Sequence, residues 1–280
     1  MNFQKATLII SVYNNIEGLE LLLNSVSKQS IKNFEVIVSE DAENPEMKQF
    51  IDNYKYKGEI RHLSHPDIGW QKNKALNLAI EASKTDYLVF IDGDCILHPK
   101  FMEYHLKLAE EKKILAGKRI KLDDHTTDLF LKSEILPEEM NQYLFRNYRK
   151  MKKNGAQFME EGFFFNSKSI LGVIPRIRSM HQLKGCNMSF PKGSIYEING
   201  FDEDYINPAI GEDIDLSWRF EGLGYTLKSV RNLAVQYHLY HKENWTDQDE
   251  NVKIMYEKKS QNLYRCNNGI VKKRKVLFES

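Results

Sequence analysis

Cysteine is scarce in this 280-residue chain, which holds three widely separated ones, Cys95, Cys186 and Cys266. Three are too few for a disulfide framework and too scattered for a zinc site, and they suit a reducing compartment. No apolar stretch is long enough to span a bilayer. The opening residues Met1-Asn2-Phe3-Gln4-Lys5 lead straight into a strand-like run without the apolar core of a signal segment, so the expected location is the cytoplasm. Charge of neither sign dominates: 40 basic against 39 acidic residues leave no global field to attract nucleic acid, and no nucleic-acid partner is expected. Internal repeats and low-complexity tracts are missing too. So is a glycine-rich phosphate loop after the first strand, where Tyr13-Asn14-Asn15 stands instead.

A hydrophobic content of 41% with 28% charged residues describes a globular chain able to bury a sizeable core. Leu8 to Tyr13 and Phe34 to Ser39 read as buried strands, and Glu59 to Leu63 and Tyr87 to Ile91 continue the series. Between them Ile16, Leu19, Leu22, Leu23 and Val26 recur at helical spacing, and Pro45 and Pro99 each open a helix. Ala75, Leu76, Ala79 and Ile80 mark another helix, and Ile114 to Ile120 reads as one further strand. This alternation predicts a parallel sheet with right-handed crossovers over the first part of the chain. The pattern becomes irregular from Asp123 to His181, apart from a helix over Tyr143 to Lys153 that crowds Arg146, Arg149, Lys150, Lys152 and Lys153 together. That face is solvated or meets anionic lipid head groups or an anionic glycan, so a peripheral contact at the inner face of the membrane stays open. Regular structure returns at Leu183. We expect one large α/β domain: residues 1–122 as a first half, 123–181 as an insertion, 182–245 as a second half and 246–280 as a helical tail.

Asp92-Gly93-Asp94 ends the run Tyr87 to Ile91. Two carboxylates at the carboxyl end of a buried strand are placed where ligands of open α/β sheets bind, and hard divalent cations such as Mg²⁺ or Mn²⁺ take oxygen ligands. Gly93 would let a diphosphate approach the backbone closely. Asp-Gly-Asp is also ordinary turn chemistry, and the surrounding motifs decide between the two. Glu212-Asp213 forms a second pair, at a helix start that suits the macrodipole. Cys186 reads as a packing residue, with no nearby histidine to activate it.

Ser11-Val12-Tyr13-Asn14, Ser39-Glu40-Asp41, Asp92-Gly93-Asp94 and Gly211-Glu212-Asp213-Ile214-Asp215-Leu216 occur in the order seen in inverting family 2 glycosyltransferases of the GT-A fold, and the chain resembles them. Its second half resembles the C-terminal region of galactosyltransferases and chondroitin-type polymerases through Lys184-Gly185-Cys186-Asn187-Met188-Ser189-Phe190 and Asn199-Gly200-Phe201-Asp202-Glu203. The resemblance implies a Rossmann-like mixed sheet flanked by helices and binding of a nucleotide-diphosphate sugar, with UDP-sugars favoured. It implies a nucleotide-sugar site formed by Ser11, Tyr13, Asn14, Asp41, Lys72, Asp92 and Gly93, in which Asp41 accepts a hydrogen bond from the base. It implies a metal site from Asp92 and Asp94 with a histidine from His238 or His241, of which one is expected to ligate and the other to be structural. It implies acceptor contacts at Gly185, Asn187 and Asp202, and Asp213 as general base with Glu212 orienting it or holding the acceptor. Lys74 is expected to be solvated and Asn77 to support a loop. The acceptor implied is a glycan or lipid-linked saccharide, in surface polysaccharide biosynthesis. One departure matters: relatives carry Trp-Gly before Glu-Asp, where this chain has Asn207-Pro208-Ala209-Ile210-Gly211, so their acceptor-stacking tryptophan is missing. A sugar nucleotidyltransferase and a non-catalytic glycan-binding module on the same fold are the alternatives. Neither the oligomeric state nor the identity of sugar and acceptor can be read.

Overall fold

The computed structural model describes residues 3–242 and 246–272. Its strands are β1 (Ala6–Val12), β2 (Phe34–Glu40), β3 (Ile60–Leu63), β4 (Tyr87–Asp92), β5 (Cys95–Leu97), β6 (Lys113–Ala116), β7 (Ile120–Lys121), β8 (Met188–Pro191), β9 (Thr226–Ser229) and β10 (Gln236–His238). Seven of them form one sheet in the order β3-β2-β1-β4-β8-β6-β9, and β5-β10-β7 form a second. From β3 to β4 the pairing is parallel, as the alternating sequence predicts. The parallel run then stops, because β8 enters antiparallel between β4 and β6, and the sheet is mixed.

The helices are α1 (Ile16–Ser27), α2 (Pro45–Asn53), α3 (Lys72–Ala82), α4 (Phe101–Leu108), α5 (Asp124–Leu131), α6 (Met140–Lys153), α7 (Val173–Ile177), α8 (Lys192–Glu197), α9 (Asp215–Gly222) and α10 (Asp249–Ser260). Side chains of β1 alternate between two cores, as the period of a strand covered on both faces requires. Leu8, Ile10 and Val12 pack with Leu19, Leu22, Leu23 and Val26 of α1. Ile9 packs on the other face with Leu76, Ala79 and Ile80 of α3 and with Phe190, Phe201 and Phe220. Each such fully buried aliphatic side chain stabilises by roughly 1.5–3 kcal/mol. The start of α1 is fixed by Asn15, whose Oδ1 accepts from the Gly18 N–H at 2.9 Å, a cap worth about 1 kcal/mol.

Two expectations need correction. The single strand over Ile114 to Ile120 is two, β6 and β7, which belong to different sheets. The chain breaks at Gly117, where a Cβ would fall within 2.4 Å of the Asn187 side chain. The irregular stretch after Asp123 contains α5 as well as α6, and Phe130, Met140, Leu144 and Met151 from them build a third core with Ile120, Val235 and Tyr237 around the small sheet. Among the described residues no helix is long and apolar enough to cross a membrane.

Candidate active site

Parallel pairing brings the carboxyl ends of β1, β2 and β4 to one edge. Ser11 lies in register with Ser39 on one side and Asp92 on the other. Beyond that edge opens a cavity of about 690 Å³ whose walls include Ser11, Tyr13, Asp41, Lys72, Gly93 and Asp94. Asp41, just past β2, is buried and accepts from the Gln71 N–H through both oxygens at 3.1 Å, while His65 Nε2 stands 3.2 Å from its Oδ1. Burial pushes its pKa up, against the pull of Gln71 and His65. Tyr13 is exposed at the rim and donates to Asp67 at 3.1 Å. Asn14 faces away and accepts from Asn44 at 3.0 Å, and its neighbour Asn15 lines the cavity in its place.

Gly93 is required by the strand beside it. Its N–H donates to Ser11 O at 2.7 Å, and a Cβ would meet that oxygen and Val12 at 3.0 Å. On either side of this close approach the two aspartates have different partners. Asp92 receives Lys72 Nζ at 3.0 Å and Arg119 Nη1 at 2.7 Å. Asp94 turns to the small sheet, where antiparallel pairing sets His238 opposite Cys95. His238 Nε2 lies 3.2 Å and His241 Nε2 3.3 Å from the same Asp94 Oδ2. Although burial opposes it, hydrogen bonds from both rings hold the Asp94 carboxyl well below the usual range. Where the sequence suggests one histidine, the structure brings both. Their ligand atoms and the Asp94 oxygen all lie within 4.8 Å of one another, and this is the metal-competent cluster among the described residues. One carboxylate and two imidazoles are a donor set that fits Mn²⁺ and other first-row divalent ions. Asp92, expected as a second ligand, lies outside that cluster and pairs with Lys72 and Arg119.

A second cavity, of about 500 Å³, shares Lys72, Asp92 and Arg119 with the first and holds Glu212, Asp213 and Gly185. The carboxylate pair does not sit on an ordinary helix start. Ala209 has a φ of 83°, and Ile210–Ile214 form a π-helical turn before α9. Such turns are rare and cluster at functional sites, where strain re-aims side chains. Here Glu212 Oε2 meets Lys72 Nζ at 2.5 Å, while Asp213 Oδ2 accepts from the Gly185 N–H at 3.3 Å. Burial raises the pKa of both acids. For Asp213 the nearby Lys184 cation and the backbone N–H groups of Gly185 and Ile214 pull the other way. Cys186 lines the same cavity as a buried thiol whose pKa burial pushes up to about 11, which suits a packing role.

Two residues expected at the acceptor side are not at either cavity. Asp202 is fully buried and paired with Lys258 of α10, and it also caps the Asp204 N–H at 3.1 Å. Asn187 is equally buried and donates to Lys118 O at 3.2 Å and Ala234 O at 3.0 Å, a brace between segments. Their side chains have no surface to offer an acceptor. Asn77 supports its loop as expected, bonding Phe201 through both amide atoms, and Lys74 Nζ reaches Gln71 Oε1 at 3.3 Å. Asp215 is loaded by Tyr205, Trp218 and Arg219 and anchors α9. Sequence reasoning missed Arg119, His65, Asp67 and Trp70, all at or behind the first cavity. Arg119 had no local sequence signal, since the break at Gly117 that exposes it depends on the Asn187 side chain.

Residues 7–174 match the profile of Glycosyl transferase family 2. Chondroitin synthase of Escherichia coli is 25% identical over 250 residues, which cover 86% of this chain and 36% of that protein. Hyaluronan synthase of Pasteurella multocida is 25% identical over 256 residues, 87% of this chain and 25% of that one. The chain thus spans about a third or less of the length of these curated relatives. Among solved structures, S. aureus TarS in complex with UDP-GlcNAc superposes with a TM-score of 0.56 at 14% identity, covering 90% of this chain and 64% of that one. A mannosyltransferase from Pyrobaculum calidifontis in complex with GDP-Man and Mn²⁺ gives 0.56 at 13% identity, covering 92% and 62%. These similarities show the GT-A fold.

Proposed function

The chain belongs to glycosyl transferase family 2, and on that premise we propose that it is a metal-dependent inverting glycosyltransferase. It moves a sugar from a nucleotide-diphosphate sugar, UDP-linked by preference, to a hydroxyl of a glycan or lipid-linked acceptor in polysaccharide assembly. The observation that carries this reading is the shared wall of Lys72, Asp92 and Arg119. It separates a cavity holding Asp94, His238 and His241 from one holding Asp213. A donor whose diphosphate lies against that wall presents its anomeric carbon to the second cavity.

Asp41, held by Gln71 and His65, offers an acceptor to the imide N–H of a uracil. Asp94, His238 and His241 would hold a divalent ion, which supplies charge neutralisation for the leaving diphosphate. Lys72 and Arg119 add fixed positive charge at the same wall. Asp213 takes the proton of the acceptor hydroxyl as its oxygen attacks the anomeric carbon and the bond to the diphosphate breaks. Burial makes that carboxylate a better base than an exposed one. Glu212, tied to Lys72, keeps the adjacent acid in a different environment. One displacement with one base inverts the centre, so an α-linked donor gives a β-glycoside. The names of the synthase relatives support polysaccharide assembly, and the ligands of the solved neighbours support a nucleotide sugar with Mn²⁺.

The test is calorimetric titration with UDP, dTDP and GDP, with and without Mn²⁺, followed by proton NMR of the product formed from the matching sugar donor. Mn²⁺-dependent binding of one nucleotide and inverted anomeric configuration are expected. Absence of nucleotide binding, or a retained configuration, overturns the reading.

A further inference from the structure

His105 of α4 is fully buried and lines neither cavity, yet both of its ring nitrogens have polar partners. Nδ1 lies 2.7 Å from Ser189 Oγ, and Nε2 lies 3.1 Å from Asn187 Oδ1. Ser189 Oγ in turn meets the Tyr87 hydroxyl at 2.9 Å. All four side chains are fully buried, and such a chain of polar groups is stable only when every member is satisfied. Its direction is set at the far end. Asn187 Nδ2 donates to Lys118 O at 3.2 Å and to Ala234 O at 3.0 Å. Two carbonyls only accept, so they fix the amide and leave its Oδ1 as an acceptor. His105 Nε2 must then carry the proton, Nδ1 accepts from Ser189, and Ser189 accepts from Tyr87. Burial keeps the ring in that neutral form by pulling its pKa down to about 3.

The two carbonyls belong to segments that carry site residues. Lys118 precedes Arg119, whose Nη1 meets Asp92 at 2.7 Å. Ala234 stands two residues before β10, the strand of His238. Residues 117–119 belong to neither β6 nor β7, and Asn187 supplies hydrogen bonds there that a ladder would otherwise provide. Its backbone O accepts from the Gly117 N–H at 2.9 Å, and its side chain occupies the space that a Cβ on Gly117 would need.

Resting on the proposed donor site, we propose that His105 is a positioning residue for the donor diphosphate: it locks the Asn187 amide, which seats Lys118 and so aims Arg119 at the shared wall.

The two ends of the imidazole can be kept one at a time. His105→Gln puts an amide where Nε2 stood and keeps a donor for Asn187. His105→Asn puts one where Nδ1 stood and keeps a partner for Ser189 alone. Both leave a polar group in the same buried space, so a merely structural role predicts equal losses from the two. Calorimetry on the full chain compares UDP and GDP, with Mn²⁺, against uridine and guanosine, below the melting temperature of each variant. His105→Asn should weaken the diphosphate about tenfold, the scale of one hydrogen bond to a charged group, and leave its nucleoside within about twofold. His105→Gln should stay near the unaltered protein. Arg119→Gln should show the same selective loss, and adding His105→Asn to it should weaken the diphosphate no further, since both act through one contact. Full additivity, or equal loss for diphosphate and nucleoside, overturns the inference and leaves the donor site standing. Nitrogen NMR of the unaltered protein tests the relay even if His105→Asn does not fold. A neutral ring protonated at Nε2 is expected from about pH 5 to 8, and an Nδ1–H tautomer overturns the inference. Failure of the unaltered protein to bind either diphosphate overturns the donor site as well.

Discussion

The two cavities are built from opposite charge. The first holds Asp41, Asp67, Asp92 and Asp94 against Lys72 and Arg119, and the second reverses that balance around Asp213. A nucleotide diphosphate, the donor of the proposed reaction, is itself anionic, so on that reading it should enter the acidic cavity only with a cation to offset Asp94. The basic cavity needs no such help. One half of the site should therefore answer to metal and the other to salt, although Lys72, Asp92 and Arg119 belong to both. In the proposed reaction the wall they form would let one set of ion pairs face both donor and acceptor.

The comparison breaks most severely at Asp94. Asp94→Ala removes the oxygen on which both histidines converge. Transfer should be abolished and Mn²⁺ should no longer improve nucleotide binding, with the fold retained because the residue lies at a strand exit. Titration calorimetry and a melting curve check this, and unchanged Mn²⁺-dependent binding would sink the metal assignment. Asp213→Asn should break the other half alone. Turnover should fall at least about a hundredfold, since the amide cannot take a proton, while nucleotide binding survives. Near wild-type turnover would move the base to Glu212.

A finer cut separates the histidines. His238 is buried and His241 about half exposed, yet both reach the same oxygen. Each replacement by Ala should raise the Mn²⁺ concentration for half-maximal rate by about tenfold, on the scale of losing a metal-supporting group. A response from only one of them would restore the division of roles that the sequence suggests.

What the sequence disclosed follows from how local each feature is. The Asp92-Gly93-Asp94 exit, the Asp41 strand end and the Glu212-Asp213 pair are each set within a few residues of an apolar run, and all reach the cavities. Parallel pairing over β1 to β4 was equally readable. Arg119 was hidden because the strand it follows breaks at Gly117 for a tertiary reason, the Asn187 side chain packed against that position. Phe158 lay in a stretch without periodicity, next to Gln157, whose backbone bridge to Lys121 spans a long separation in sequence. Asp202 failed in the other direction. It sits beside a recognisable turn, but Lys258 from a distant helix claims it. Motif adjacency located the neighbourhood, and side-chain direction was decided by partners the motif does not contain.

The smallest expected effect tests whether the basic cavity acts on the base itself. Burial raises the Asp213 pKa, and Lys184 lowers it by stabilising the carboxylate. The base must be ionised to work, so the rate falls as pH drops through its pKa, and the acid limb of kcat/KM marks that point. Lys184→Met removes the stabilising charge and leaves burial unopposed from that side. The acid limb should then move to higher pH, while Lys184→Arg, which keeps the charge, should leave it where it is. The height of the plateau above the limb is read separately from the limb's position. A limb that stays put in Lys184→Met would mean that Lys184 does not set the ionisation of the titrating base. A limb that moves to lower pH would mean that the titrating group is not a carboxylate facing this lysine, and Asp213 would lose its place as the base.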